Sequence, residues 1–350
     1  MAYSTIPKSS SYFNTKLYSG SGAIQTVSGV GFEPSWIWTK SRTNAGNHQV
    51  TDQVRGLTKY IRPNGTNAEQ TYTDAITAVN SDGFVLGADS SDDINANGQT
   101  YASWNWKANG QGSSNTDGTI NTTYTSANTT SGFSISTYTG TGANATVGHG
   151  LGAAPKVVLI KQTNGTAWWF MYHNDLGTTG KLNLNSTGYN NDLQASYWNS
   201  TAPSSSVFSL GTEASVNGSS QNFVAYCFAE KTGYSKFSSY KGNGNADGPF
   251  IYTGFKPAFV ITKPSSGVGS WYMLDNKRAN PFNVVTGRLE ADGSGTENTG
   301  FTWCDFTSNG FKIRTTEGGI NASGVTFIYL AFAETPFVAN SGESIPTTAR

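Results

Sequence analysis

Charge is scarce in this chain of 350 residues: Asp, Glu, Lys and Arg together make up 13% of it, about half the share of an ordinary globular protein. Acids and bases number 22 each, so the formal net charge is zero. That balance excludes the basic footprint of a nucleic-acid binder. Cysteine is nearly missing, and Cys227 and Cys304 read as reduced packing residues because a disulfide framework or thiolate metal cluster needs more. No run approaches the roughly 20 apolar residues of a membrane-spanning helix. The opening MAYSTIPKSSSYFN lacks the apolar stretch of a secretory signal, so the expectation is a soluble chain made in the cytoplasm, with no membrane insertion. No window of ten or more residues carries apolar positions at helical spacing.

What is abundant points to strands and tight turns. Aromatic residues make up 13% and glycine occurs 41 times, interleaved with Asn, Ser and Thr. Aromatic and β-branched residues favour strands, and the small polar residues favour the turns between them. Sequons such as Asn64-Gly65-Thr66 and Asn128-Thr129-Thr130 therefore read as turns. One glycine stretch, Gly148-His149-Gly150-Leu151-Gly152-Ala153, meets the relaxed dinucleotide pattern. A nucleotide site needs a helix after the glycines, whereas Pro155 and the run Lys156-Val157-Val158-Leu159-Ile160 predict another strand.

Self-comparison shows one unit three times. Tyr18-Ser-Gly-Ser-Gly, Tyr138-Thr-Gly-Thr-Gly and Tyr240-Lys-Gly-Asn-Gly share an aromatic-turn signature. Each precedes a Gly, a Pro and a strand ending in Lys: GVGFEPSWIWTK, GLGAAPKVVLIK and YTGFKPAFVITK. Pro34, Pro155 and Pro257 stand six residues before Lys40, Lys161 and Lys263. Phe84, Phe208 and Phe311 centre a later strand. Each copy closes on an aromatic one, in which Tyr101, Trp104 and Trp106 match Phe223, Tyr226 and Phe228, then Phe327, Leu330 and Phe332.

The predicted fold class is all-β: three tandem antiparallel β-sandwich repeats of jelly-roll or lectin-like kind, over 1–112, 113–232 and 233–338, with a C-terminal tail at 339–350. Within each copy the Phe-centred strand and the closing strand are expected to form a hairpin across INANG, ASVNG or NASG. Asn115 to Thr130 has linker composition, with Thr119 to Thr125 β-branched enough to start the second unit.

Chemistry-bearing residues are few. Asp93-x-Asn95-x-Asn97-Gly98 matches the start of a calcium loop, but its twelfth position is Trp104 where a closing carboxylate belongs. Asp93, Asn95 and Asn97 are the only metal candidates, and the other copies carry ordinary turns there. His48 falls where the other copies have Trp169 and Trp271, which suggests a packing or surface position. His149 and His173 have no nucleophile elbow or recurring carboxylate pair beside them, so no catalytic residue is assigned and no cofactor is expected. Asp52-x-x-Arg55 and Asp275-x-x-Arg278 occupy corresponding positions, where the middle copy has His173-x-x-Leu176, and read as exposed ion pairs that fix a loop, each adding about 0–1 kcal/mol. Most tryptophans lie on repeated strands and read as core. Trp198, with Tyr197 and Asn199 in the variable stretch GlnAlaSerTyrTrpAsn, is the surface candidate for stacking on a sugar.

The block NTDGTINTTYTSANTTSGFSISTYTGTGANATVGHGLG, the stretch NFVAYCFAEKTGYSKFSSYKGNGNADGPFIYTGFKPAFVITK and NASGVTFIYLAFAETPF resemble the repeated β-rich domain of tail-fibre and other virion structural proteins of marine bacteriophages, of the cyanophage and pelagiphage type. The resemblance covers nearly the whole chain. It implies a non-catalytic particle protein located in the virion, trimeric when in a fibre, with other virion proteins and a host-surface glycan as partners. The alternatives are a capsid- or tail-decorating protein without a receptor role and, from a different class, a glycan-active enzyme on a lectin-like sandwich.

Overall fold

The computed structural model describes residues 4, 6, 8–89, 93–278 and 283–336; the tail assigned to 339–350 lies outside them. All its extended sheets are antiparallel. The same strand order appears three times. In the first copy Phe13–Ser19, Thr100–Trp106, Trp36–Ser41, Gln49–Asp52 and Lys59–Ile61 lie side by side. The second has Phe133–Thr139, Asn222–Phe228, Val157–Gln162, Phe170–His173 and Leu182–Asn183, and the third Ser235–Lys241, Thr326–Pro336, Phe255–Pro264, Tyr272–Asp275 and Arg288–Glu290. Each of these inner sheets is faced by a small outer sheet built around the Phe-centred strand: Gly83–Leu86, Val207–Leu210 or Gly310–Ile313. The chain is thus all-β and of sandwich type.

Strand alternation supplies two cores per copy, because successive side chains leave opposite faces of a sheet. In Trp36–Ser41, Ile37 enters a cluster with Phe84 and Leu86 of its own outer sheet. Its neighbours Trp36 and Trp38 point the other way, into a cluster that draws on all three copies. Val158 and Ile160 against Val157 and Leu159, and Val260 against Phe259 and Ile261, divide in the same way. The closing strands place Trp106, Phe228 and Phe332 at equivalent positions, and these rings meet pairwise with centroids 6.5, 5.9 and 5.5 Å apart. The expected separate interiors exist, and a shared central one joins them around a pseudo-threefold axis. Cys227 and Cys304 are buried in two different outer clusters.

The glycine stretch lies between strands Ala145–Gly148 and Val157–Gln162, as the Pro155 context requires. Pro257 sits within its strand at a register irregularity, where the missing N–H costs no ladder bond. The segment preceding the second unit becomes strand only at Tyr124–Asn128, later than Thr119.

The hairpin expectation is wrong. The Phe-centred strand and the closing strand belong to different sheets in every copy, and the Asn/Gly turn carries the chain across the sandwich. Its asparagine is the reason. Asn95, Asn217 and Asn321 are fully buried. Each side-chain oxygen accepts the N–H of Ser21, Thr141 or Asn243, and each amide donates to two carbonyls, those of Ala23 and Gly87, Ala143 and Gly211, or Asn245 and Thr315. The tyrosine of the aromatic-turn signature finishes the corner: Tyr18, Tyr138 and Tyr240 donate to the carbonyls of Ile94, Val216 and Ile320 at 2.7–2.8 Å. Glycine is required beside it, since a Cβ at Gly20, Gly140 or Gly242 would stand 2.2–2.4 Å from a facing carbonyl oxygen.

Replacing Asn217 by Ala takes the side-chain partner from the Thr141 N–H and the Ala143 carbonyl, which lie at exposed positions, and from the buried Gly211 carbonyl. Urea denaturation is expected to show a loss of about 1–3 kcal/mol, whereas Asn97→Ala, at an exposed position of the first copy's turn, changes stability little.

Candidate functional site

The three copies meet at junctions built alike, formed where the strand ending in lysine runs into its loop. Gly46 N–H donates to Ser294 of the third copy, Ala167 to Thr66 of the first and Gly269 to Thr187 of the second, at 2.9–3.0 Å. In return Glu297, Glu69 and Asn190 donate to Arg42, Thr163 and Ser265. The links run from copy one to three, two to one and three to two, so the ring closes.

Each junction buries the repeated lysine. Lys40, Lys161 and Lys263 are fully buried, and burial lowers all three to a pKa of about 8. Their ammonium groups are held by carbonyl oxygens: Ser41 for Lys40, Gln162 and Thr66 for Lys161, Thr187 and Gly269 for Lys263. Eight residues on, the matched positions also reach across the junction. Trp169 donates from its indole to Arg62 O and Trp271 to Asn183 O, both at 2.9 Å. His48 Nε2 meets Glu290 O at 2.9 Å. Its Nδ1 accepts from the Trp38 indole at 2.8 Å, so Nε2 carries the proton and donates. His48 is a packing position, not a surface one.

A second cluster contains the expected ion pairs, but inside the protein. Asp52 and Arg55 are 0% and 3% exposed at their side chains, and Asp275 and Arg278 are both 0%. Each arginine donates from Nε to its aspartate at 2.6 Å and from a terminal nitrogen to a glutamate, Glu69 or Glu297, at 3.0–3.1 Å. The aspartate then accepts from a neighbouring copy: Asp52 from Tyr226 OH at 2.7 Å, and Asp275 from Trp104 Nε1 at 3.0 Å. The reading of these pairs as exposed and nearly neutral in energy is therefore corrected. They sit at the wall between copies, where removing one charge strands the other.

The third junction replaces the whole set. His173, Leu176 and Asn190 stand where the other junctions have Asp, Arg and Glu, and the donor's place on the facing strand is taken by Leu330. Where no aspartate accepts, no donor is offered. The same rule holds at the lysine end: Trp38 faces His48, which can accept, while Leu159 and Ile261 face the indoles of Trp169 and Trp271.

The sequence-derived binding candidates do not converge. Trp198 is 2% exposed and donates to Gly180 O, and Tyr197 is buried with its hydroxyl on Asp192. Only Asn199 of that group is exposed, in a left-handed conformation. The surface reading of Trp198 fails because the variable stretch forms a helical turn, Ala195–Trp198, that packs both rings inward against Phe170 and Tyr172. The calcium reading loses its middle ligand, since Asn95 is filled by the corner described above. Asp93 pairs with Arg62 at 3.2 Å and Asn97 is exposed. Among the described residues no group of three His, Cys, Asp or Glu side chains is placed to hold a metal.

Two open clefts adjoin the junctions. One of about 580 Å³ contains Arg55, Lys59, Glu69, Tyr124, Asn164 and Asn222. The other, about 500 Å³, contains Arg288, Glu290 and Glu297. The carboxylates in both are ion-paired: Glu69 with Arg55 and Lys59, Glu297 with Arg42 and Arg278, Glu290 with Arg288. Among the described residues no helix is long and apolar enough to cross a membrane.

Fold and junctions define a closed, pseudo-threefold all-β ring. The chain belongs to the family described as "Domain of unknown function (DUF7483)", which matches residues 8–336 and so takes in all three copies as one unit. No curated protein and no solved structure matches it.

Burial holds His48 at a pKa of about 3 and His173 at about 4, and it lowers His149 as well. His48 and His173 stay neutral in the fold over this range and gain a proton on unfolding below about pH 6.5, and His149 acts in the same direction. Stability is full above that pH and falls as the medium is acidified towards pH 4, by up to about 1.4 kcal/mol per pH unit for each histidine. Thermal melts from pH 7 to 4.5 should show this slope, and His48→Gln should lower it by one proton.

A second expectation concerns the charged wall. Arg55→Leu is expected to cost about 3–5 kcal/mol in chemical denaturation. Installing the third junction's residues together, D52H/R55L/E69N/Y226L, should cost less than R55L alone.

Proposed function

We propose that the chain is a non-catalytic structural protein of a bacteriophage particle, a tail-fibre or adhesin-like component that takes part in host-surface attachment. The observation that carries this reading is the inward commitment of its polar chemistry. The three histidines, the aspartates of the two charged walls and the three repeated lysines are all buried and spent on internal partners, and His48, both aspartates, Lys161 and Lys263 bond across from one copy to another. Acid–base catalysis needs such groups within reach of a substrate. A charge-poor surface with Ser, Thr and Asn in its turns suits a durable particle exterior, and the repeated motifs resemble those of marine phage virion proteins.

In this reading the partners are other virion proteins, a homotrimer of the chain and a host-surface glycan. One chain already has a trimer's pseudo-symmetry, which fits a place on a threefold-symmetric axis of the particle. With Trp198 inside, Trp168, 48% exposed beside the junction of the first and second copies, is the ring best placed to stack on a sugar. The second reading, a decoration of capsid or tail without a receptor role, draws on the same ring closure. The glycosidase reading is disfavoured by the pairing of Glu290 and Glu297 with guanidinium groups, since that chemistry uses one carboxyl group as an acid.

Cryo-electron microscopy of particles carrying a tagged chain tests the assignment. Density at the tail or fibre tip is the expected result. Density on the capsid lattice would select the decoration reading, and absence from purified particles would overturn both.

A further inference from the structure

The free edge of the outer sheet is treated differently in the second and third copies. In the second, strand Ala145–Gly148 is covered by the preceding linker. Ile120 bridges Val147 in parallel, its N–H donating to Thr146 O at 3.0 Å. Thr119 adds two bonds, its N–H donating to Thr146 Oγ1 at 2.9 Å and its Oγ1 accepting the Thr146 N–H at 2.8 Å. Gly118 allows the close approach, because a Cβ there would lie 2.4 Å from Thr146 O.

The matching strand of the third copy is Phe250–Tyr252. Ile251 pairs with Phe311 as Val147 pairs with Phe208, which makes Phe250 the counterpart of Thr146. The ladder bond from Ile313 N–H to Pro249 O fixes the alternation, so Phe250 turns its own N–H and C=O outward. The connection from the second copy to the third runs only from Ala229 to Tyr234 before the next strand starts at Ser235. It is too short to provide the cover that residues 113–123 give the second copy. Among the described residues nothing pairs with this edge, and at it, unlike at either corresponding one, the outward residues are large and apolar: Phe250 is 47% exposed and Tyr252 56%. The first copy has Thr26 and Ser28 there, and the second Thr146 and Gly148.

We propose that the Phe250–Tyr252 edge accepts an extended strand from a second polypeptide, paired in parallel, in the way Gly118–Thr122 covers the second copy. The internal precedent sets the chemistry of the partner: a hydroxyl residue that reaches the outward backbone of Phe250, followed by a β-branched apolar residue beside Ile251. Main-chain bonds supply the pairing, and the two rings cover the added strand. An unmet edge with exposed aromatics is otherwise an aggregation hazard, which gives the fold a reason to reserve it for a partner.

The test uses the full chain and a synthetic peptide of residues 116–123, Thr-Asp-Gly-Thr-Ile-Asn-Thr-Thr, as the probe. NMR titration is expected to show saturable binding with a Kd at or below about 1 mM, together with slowed exchange of the Phe250 amide. Phe250→Pro removes the outward N–H without touching a ladder bond and should weaken binding about tenfold or more. The double variant F250A/Y252A keeps that N–H and loses the rings without adding a hydroxyl, so it should bind more weakly than the native chain and more tightly than F250P. No saturable binding, slowed exchange at Thr146 instead of Phe250, or equal binding by the native chain and both variants would each overturn the proposal.

Discussion

Closure of the ring is the constraint on which the remaining structure depends. The central strands of each inner sheet are buried on both faces, one towards the copy's own outer sheet and one towards the axis. A single copy would expose its axial side chains, among them Trp36, Trp38, Trp104 and Trp106 in the first. A patch of that kind exceeds what a solitary domain leaves in water. The sandwich is therefore the unit of the sequence repeat, while the unit of stability is three sandwiches together. The family match, which spans all three copies as one segment, agrees with that view.

An apolar axis alone would not decide which copy sits beside which, because three copies of one pattern can pack with little regard to order. The polar junctions add what the axis lacks. Aspartate meets a tyrosine or tryptophan donor at two walls, and histidine meets leucine at the third. Bringing a charged wall against Leu330 would leave an aspartate oxygen buried without its donor, a cost of about 1–3 kcal/mol. Buried ionic groups add little net stability against well-packed apolar ones. Their better-supported use is to fix register, and the matched changes at the third wall are what that use requires.

Much of this was legible from sequence, and the limits have a physical cause. The spacing from Pro34 to Lys40, kept in all three copies, located a central strand because proline entry and strand length are local properties. The glycine stretch could be read as a turn for the same reason. What escaped were interactions between residues far apart in the chain. Asp52 and Arg55 looked like a surface pair because a local reading cannot see Tyr226, 174 residues away, closing over them. A signal was present all the same: the change from Asp to His and Leu in the middle copy goes with the change from Trp104 and Tyr226 to Leu330. The turns at Asn95, Asn217 and Asn321 were mistaken for hairpins because Asn and Gly suit both a tight turn and a buried corner, and only the Tyr–Gly–Asn contacts distinguish them. Trp198 misled because a stretch that varies between copies need not be exposed.

The lysines show why closure is built from carbonyls and not from more ion pairs. Each ammonium sits at the end of a central strand, where the chain turns into the junction loop and several carbonyls have no ladder partner. Three N–H donors on one flexible stem can satisfy several such acceptors at once, which no apolar side chain could do. A carboxylate brought in to neutralise each lysine would need its own desolvation and its own donors at a junction already crowded with backbone. Neutral carbonyls avoid that second buried charge, although the price is the lowered pKa that burial imposes on all three amines. The fixed distance from proline to lysine is then more than a strand length: it places each ammonium at a junction loop, where Lys161 and Lys263 reach a carbonyl of the neighbouring copy and Lys40 holds the carbonyls of its own loop.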